Sequence, residues 1–304
     1  MKRWYAALCT LCFCLMLFTH SSANEKIHRF LGLTKNTPFT LVDKIECRFN
    51  TYHPQGLLKI GDHFILSSVQ ILEGAQPYAQ PDEQGYDRSP GRGIGHLFKV
   101  DAEGRLIKDL QLVEGNQYHP SGIDFDGSYI WVSLAEYRPN SRSTLFKVDT
   151  DLDRAEKMFT VRDHIGALAC NRDLQQVYGF SWGSRRVYCW TTAGIELYRY
   201  NNPSHFLDYQ DAKYIGRDLV LVSGLNKWLI DGPENSRTVD IGGLALIRPS
   251  DGKIIHEVPL NLHALDGGTM TRNPMDVASE NQSLQFYFAP EDNQTTIYVF
   301  RPAF

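Results

Sequence analysis

The sequence predicts an all-β fold, a five-bladed β-propeller forming a single domain, and three observations carry that reading. A four-strand unit recurs, its copies opening at His53, His119, His164, Tyr209 and Asn273. The last copy runs out one strand short, while an unmatched β-like segment, residues 39–49, stands ahead of the first. Helical periodicity is absent over any long window, apart from a short helix predicted between Glu25 and Leu33, and Pro and Gly recur too often for more.

The repeat is clearest in the first two units. Tyr52-His53-Pro54-Gln55-Gly56-Leu57 is nearly copied by Tyr118-His119-Pro120-Ser121-Gly122-Ile123, and Leu97-Phe98-Lys99-Val100-Asp101 by Leu145-Phe146-Lys147-Val148-Asp149. Between these copies lie apolar, β-prone runs behind Gly/Asp turns, and a fourth apolar stretch closes each unit. Four short antiparallel strands repeated along a chain are the signature of propeller blades. Residues 164–200, 209–260 and 273–300 supply three further units, the last lacking its outer strand. Pairing the 39–49 segment there closes the ring and removes an open edge of unsatisfied backbone groups. Two insertions, residues 70–95 and 225–242, interrupt the spacing, but neither holds four alternating strands, so the count is five, with six as the alternative.

The termini and composition set the context. Lys2 and Arg3, an apolar run from Ala6 to Phe18 and the small residues Ser21-Ser22-Ala23 read as a signal peptide over residues 1–23, followed by a leader, 24–37, and the propeller, 38–304. The expected product is secreted or extracellular, periplasmic in a Gram-negative cell, without a membrane anchor after cleavage, and monomeric. A net charge of −4 with both signs scattered gives no reason to expect a nucleic-acid partner. Cys47, Cys170 and Cys189 are the cysteines outside the signal segment, too few for a disulfide framework, and are expected buried and reduced.

Innermost strands start at the mouth of a propeller's central channel, and loops between second and third strands return to the same face. Rigidly held loops around a concave mouth are the default place for function. Aligning the blades on Gly56, Gly122, Ala167, Ala212 and Asp276 places His53, His119, His164, Tyr209 and Asn273 in one channel-mouth ring. Three readings stay open there: the ring is a hydrogen-bonded polar plug, or His53, His119 and His164 bind a divalent metal that activates water, or one of them acts directly as an acid or base. Neither HExxH nor CxxC is present. Glu73, Glu136, Asp211 and Asp276, with Asp163, Asp208, Glu291 and Asp292, are the carboxylates expected near this face, and a suitably spaced pair could cleave a glycosidic bond. Trp182, Tyr137 and Tyr78 offer stacking surfaces. Gly179-Phe180-Ser181-Trp182-Gly183 fits the GxSxG pattern, but no helix is predicted after it, as a nucleophile elbow requires. Asn281 and Asn293 head N-glycosylation sequons.

The HPxG repeats, the LFKVD strands, Met270-Thr271-Arg272-Asn273-Pro274 and Phe288-Ala289-Pro290-Glu291-Asp292 resemble a family of secreted propellers of unknown function. The phrase His119-Pro120-Ser121-Gly122-Ile123-Asp124-Phe125-Asp126-Gly127 is similar to a piece of gluconolactonase and strictosidine-synthase propellers, which implies a lactonase- or esterase-like activity; the calcium ligands of those propellers do not map one for one. The expected function is therefore binding of a small molecule, glycan or peptide at the channel mouth. The alternatives are a metal-dependent hydrolase or a glycosidase.

Overall fold

The computed structural model describes residues 24–230, 237–280 and 283–304; the signal segment, the 231–236 part of the second insertion and Asn281 lie outside the described residues. Five sheets form the blades. Blade 1 is β2 (His53–Ile60), β3 (His63–Glu73), β4 (Arg92–Val100) and β5 (Leu106–Leu112). Blade 2 has a divided inner strand, β6 (His119–Pro120) and β7 (Asp124–Phe125), both paired to β8 (Ile130–Ala135), with β9 (Ser143–Val148) and β10 (Ala155–Val161) outside. Blade 3 runs β11 (Ile165–Asn171), β12 (Gln176–Ser181), β13 (Arg186–Thr191) and β14 (Glu196–Asn201). Blade 4 runs β15 (Asp208–Gly216), β16 (Leu219–Leu229), β17 (Thr238–Arg248) and β18 (Lys253–Leu260). Blade 5 is β19 (Met275–Glu280), β20 (Ser283–Phe288) and β21 (Thr296–Pro302), and its outer strand is β1 (Phe39–Glu46). The β1 and β21 strands pair antiparallel from Phe39 opposite Pro302 to Glu46 opposite Thr296, so the two ends of the chain close the ring as the missing strand predicted.

The core lies between neighbouring blades. Phe64, Leu66 and Phe98 of blade 1 pack with Tyr287 and Val299 of blade 5, and Tyr178 and Phe180 of blade 3 pack with Ala212 and Val222 of blade 4. Each such large side chain contributes roughly 1.5–3 kcal/mol of gross burial. Cys47, Cys170 and Cys189 are free and buried, as expected.

Five inner strands around one axis leave almost no bore. A Cβ on Gly56 would stand 2.6 Å from the Ile123 nitrogen, and one on Gly122 would stand 2.6 Å from Asp211 Oδ1, so neither position admits a side chain. Below this constriction the axis is filled by charge. The Asp211 carboxylate accepts the N–H groups of Leu57 and Ala212, and Asp124 those of Phe125, Cys170 and Tyr214. Asp276 likewise accepts the N–H groups of Lys59 and Val277. Lys213 Nζ sits 2.6 Å from Asp211 and donates to the Ile123 carbonyl. The leader closes the far end: residues 24–31 are helical, Phe30 and Leu33 are buried against blades 4 and 5, and Lys26 donates to the Val277 carbonyl. Burial holds the Lys26 ammonium below its ordinary pKa, with Asp276 opposing that effect.

Candidate functional site

Above the constriction the axis opens into a cavity of about 760 Å³ lined by residues of all five blades. His53, His119, His164, Tyr209 and Asn273 all line it, but the sheet register qualifies their equivalence. His53 pairs with Val69, His119 with Ala135 and Asp208 with Leu225, each at the same level above the second strand. His164 meets Trp182 and Asn273 meets Pro290 at that level. Blade 4 therefore contributes Asp208, not Tyr209, to the ring. The β-bulge at Gln210 immediately precedes Asp211, so Asp211 and not Ala212 is the blade 4 counterpart of Gly56 and Ala167; counting back from it reaches Asp208, and Tyr209 turns toward the core, edge-on to Phe180. Matching bulges at Gln55 and Gly166 in blades 1 and 3 bring those residues to the cavity wall.

The ring divides into two halves. On blades 2 and 3, four rings form a closed circuit: His119 stacks on Tyr137 at 4.5 Å, Tyr137 leans on Trp182 at 5.6 Å, Trp182 meets His164 edge-on at 4.7 Å, and His164 returns to His119 at 5.3 Å. His164 Nδ1 donates to the Glu136 carbonyl at 2.7 Å, which leaves Nε2 as its acceptor nitrogen. Burial pushes the His164 pKa down to about 4. Burial, with the neighbouring His164 and His53, takes His119 well below its ordinary value. Both imidazoles are neutral at neutral pH, so this half is an uncharged aromatic wall.

The half formed by blades 1, 4 and 5 is polar. His53 Nδ1 lies 2.8 Å from Asp292 Oδ1, and Asn273 Nδ2 donates to the same oxygen at 3.1 Å and to the Pro290 carbonyl at 2.8 Å. Burial opposes ionisation of Asp292, but the bonds from His53 and Asn273 and the charge of Arg272 outweigh it and hold the carboxyl below its ordinary value. Asp208 is half-buried, and that burial raises its pKa against the pull of Arg185 and His205. Arg272 is engaged by Asp266 and the Pro290 carbonyl.

The remaining candidates fall elsewhere. Asp211 and Asp276, expected at the rim, lie beneath it in the axial plug, because their register turns them onto neighbouring inner strands. Glu136 is partly buried, its carboxylate paired with the buried Arg138 at 2.7 Å, and its carbonyl accepts from His164. Glu73 is exposed beside Arg92, and neither it nor Tyr78 lines the cavity. Asp163 is sequestered by Arg186 and Tyr188. After Ser181 comes a single 3-10 turn, Trp182–Ser184, so the GxSxG residues form no nucleophile elbow. Asn293 is exposed before β21.

Among the described residues, no group of three or more His, Cys, Asp or Glu side chains is arranged to hold a metal ion. The expected His53, His119 and His164 triad does not fit one: His53 is turned to Asp292, while the other two pack face and edge against Tyr137 and Trp182.

Gln55, Lys227, Asp240, Asp266 and Arg272 line the cavity without having been singled out from sequence. Tyr137, Trp182 and Asp292, named from the sequence as stacking and carboxylate candidates, each follow the end of a second strand, and that placement brings them to the cavity.

The fold and cavity define a propeller with a one-ended funnel on its axis. The chain belongs to a family of unknown function, DUF6454, whose model matches residues 12–303. Among solved structures it is similar to a luciferin-regenerating enzyme, at 10% identity over 88% of this chain and 98% of that one, with a TM-score of 0.47. It is also similar to a tail fibre of Staphylococcus aureus phage P68, at 10% identity over 88% of this chain and 53% of that one (TM-score 0.48). A chain of a nidogen/laminin complex matches at 10% identity over 67% of this chain and 63% of its own length (TM-score 0.41). No curated protein sequence matches.

Proposed function

We propose that the protein is an exported, monomeric binding propeller whose funnel holds a small polar ligand of the carbohydrate class. The observation that carries this is the division of the cavity. The Tyr137 and Trp182 rings, tilted 40° to each other, form an aromatic wall, and His53, Gln55, Asp208 and Asn273 line the rest of the cavity with hydrogen-bonding groups. A sugar ring has the matching character, with C–H faces that pack on aromatic surfaces and a rim of hydroxyls that both donate and accept. The axial plug supports the same reading, since the cavity has a floor and is not a through-pore.

The likeness to gluconolactonase and strictosidine-synthase propellers weighs little here, because most of that phrase builds the scaffold. Ser121 bonds the Ser133 N–H, Gly122 makes room for Asp211, Asp124 joins three inner strands and Asp126 holds the Trp131 indole.

Titration of tryptophan fluorescence with glucose, galactose, N-acetylglucosamine and maltose tests the binding reading. A saturable change with at least one sugar, weakened about tenfold by Tyr137→Ala, is expected. No response to any of the four removes the carbohydrate assignment. Export is tested separately by the N-terminus of the protein recovered from outside the cytoplasm, expected at Asn24.

A further inference from the structure

The funnel contains a relay that sugar binding alone does not call for. Asn273 is fixed by the Pro290 carbonyl and donates to Asp292, and Asp292 in turn accepts from His53 Nδ1. With Asp292 ionised, the neutral imidazole carries its proton on Nδ1, and the basic lone pair lies on Nε2. That nitrogen has no hydrogen-bond partner among the described residues, and His53 is about one-third exposed on the cavity wall. An imidazole oriented by a carboxylate that is itself oriented is the arrangement of a general base.

We propose that His53 acts as a general base in the hydrolysis of an ester or lactone bound in the funnel, with Asp292 and Asn273 as its positioning residues. Water is the nucleophile, because the wall offers no activated alternative: Ser181 Oγ has no base beside it among the described residues and accepts the backbone N–H of Arg186 within its own hairpin, and the three cysteines are not part of the lining. Three of the carboxylates lining the cavity are also engaged, Glu291 by the Tyr298 hydroxyl, Asp266 by Arg272 and Asp208 by Arg185. The Nε2 atom takes a proton from water as the water oxygen bonds to the carbonyl carbon and the C=O electron pair moves onto oxygen. Collapse of the tetrahedral species breaks the acyl C–O bond, and the departing alkoxide takes the proton back from Nε2, which restores the imidazole. Lys227, which lines the same cavity, supplies positive charge toward the developing oxyanion.

This proposal rests on the funnel being the ligand site but not on the ligand being a sugar. The test uses the mature protein with 4-nitrophenyl acetate and δ-valerolactone. Saturable hydrolysis above the buffer rate is expected. His53→Gln, which keeps a donor toward Asp292 but has no basic nitrogen, should lower kcat by roughly 100-fold or more with little change in KM. His53→Ala should be partly rescued by imidazole in solution, whereas Asp292→Asn should lose kcat without rescue, a contrast that a purely structural role would not produce. Unfolding midpoints of the variants show that each is folded. Wild-type protein that binds sugar but hydrolyses neither compound overturns the general-base assignment and leaves the binding reading standing. Hydrolysis that survives His53→Gln overturns it as well. Hydrolysis that needs His53 in a protein that binds no sugar supports it and discards the carbohydrate class.

Discussion

The funnel and the plug are built from the same five inner strands, a few residues apart along each, yet they treat polar side chains in opposite ways. Below the constriction each aspartate is surrounded: Asp211 and Asp276 each accept N–H groups from two strands, Asp124 from three, and Lys213 lies against Asp211 with both side chains almost fully buried. Above it the polar groups are only partly used, with the His53 Nε2 and the His119 Nδ1 lacking partners among the described residues. Fully satisfied buried networks fix structure, while unspent hydrogen-bonding capacity around a cavity is available to a ligand. The difference separates the part of the axis that holds the ring together from the part that meets another molecule.

Removing the Asp211 carboxylate should break this comparison most strongly. Asp211→Ala strands Lys213 and the Leu57 N–H in the interior, and a loss of about 3–5 kcal/mol is expected in urea unfolding. Asp211→Asn, which keeps an acceptor, should lose less.

The two regions should next answer pH with opposite signs. Burial pushes Asp211 from 3.8 up to about 7 against the pull of Lys213. The folded state therefore retains that proton longer, and this contribution to stability is complete below pH 3.8 and lost as pH rises toward 7. His164 falls from 6.5 to about 4, again through burial, so its contribution is complete above pH 6.5 and lost as pH falls toward 4. The effects are on the order of 4 kcal/mol for Asp211 and on the order of 3 kcal/mol for His164. Unfolding curves between these limits should show His164→Gln removing the acid-side loss and Asp211→Asn the loss toward neutrality; variants whose curves run parallel to wild type would refute this division.

A smaller effect is expected at the constriction, where Gly122→Ala sets a methyl against Asp211 and the Gln210 carbonyl and should cost about 1–3 kcal/mol in the same unfolding assay. Smallest in stability, and largest in selectivity, is Tyr137→Ala. It removes one stacked wall at a cost of about 0.5–1.5 kcal/mol in sugar affinity, read by fluorescence titration, with the urea midpoint nearly unchanged.

The blade count, the strand order and the exchanged outer strand were legible because each rests on a local pattern repeated several times: apolar alternation, turn residues and one strand missing at one end with one spare at the other. Four of the five ring residues were legible for the same reason. Asp208 was not, since Ala212 looks like the small anchor residue of the other blades and only the pairing of β15 with β16 shows that Asp211 holds that position. Asp211 and Asp276 carried the right residue type for a rim, and nothing in their immediate sequence says that they face the axis.

The sequence by itself determined the repeating unit and the closure of the ring, because these follow from chain-local periodicity and from a strand missing at one end and spare at the other. Only the tertiary structure decided which polar groups became floor and which became wall. That choice depends on the rotation of each inner strand against strands from other blades, where one residue of register exchanges a satisfied interior carboxylate for a side chain open to the funnel.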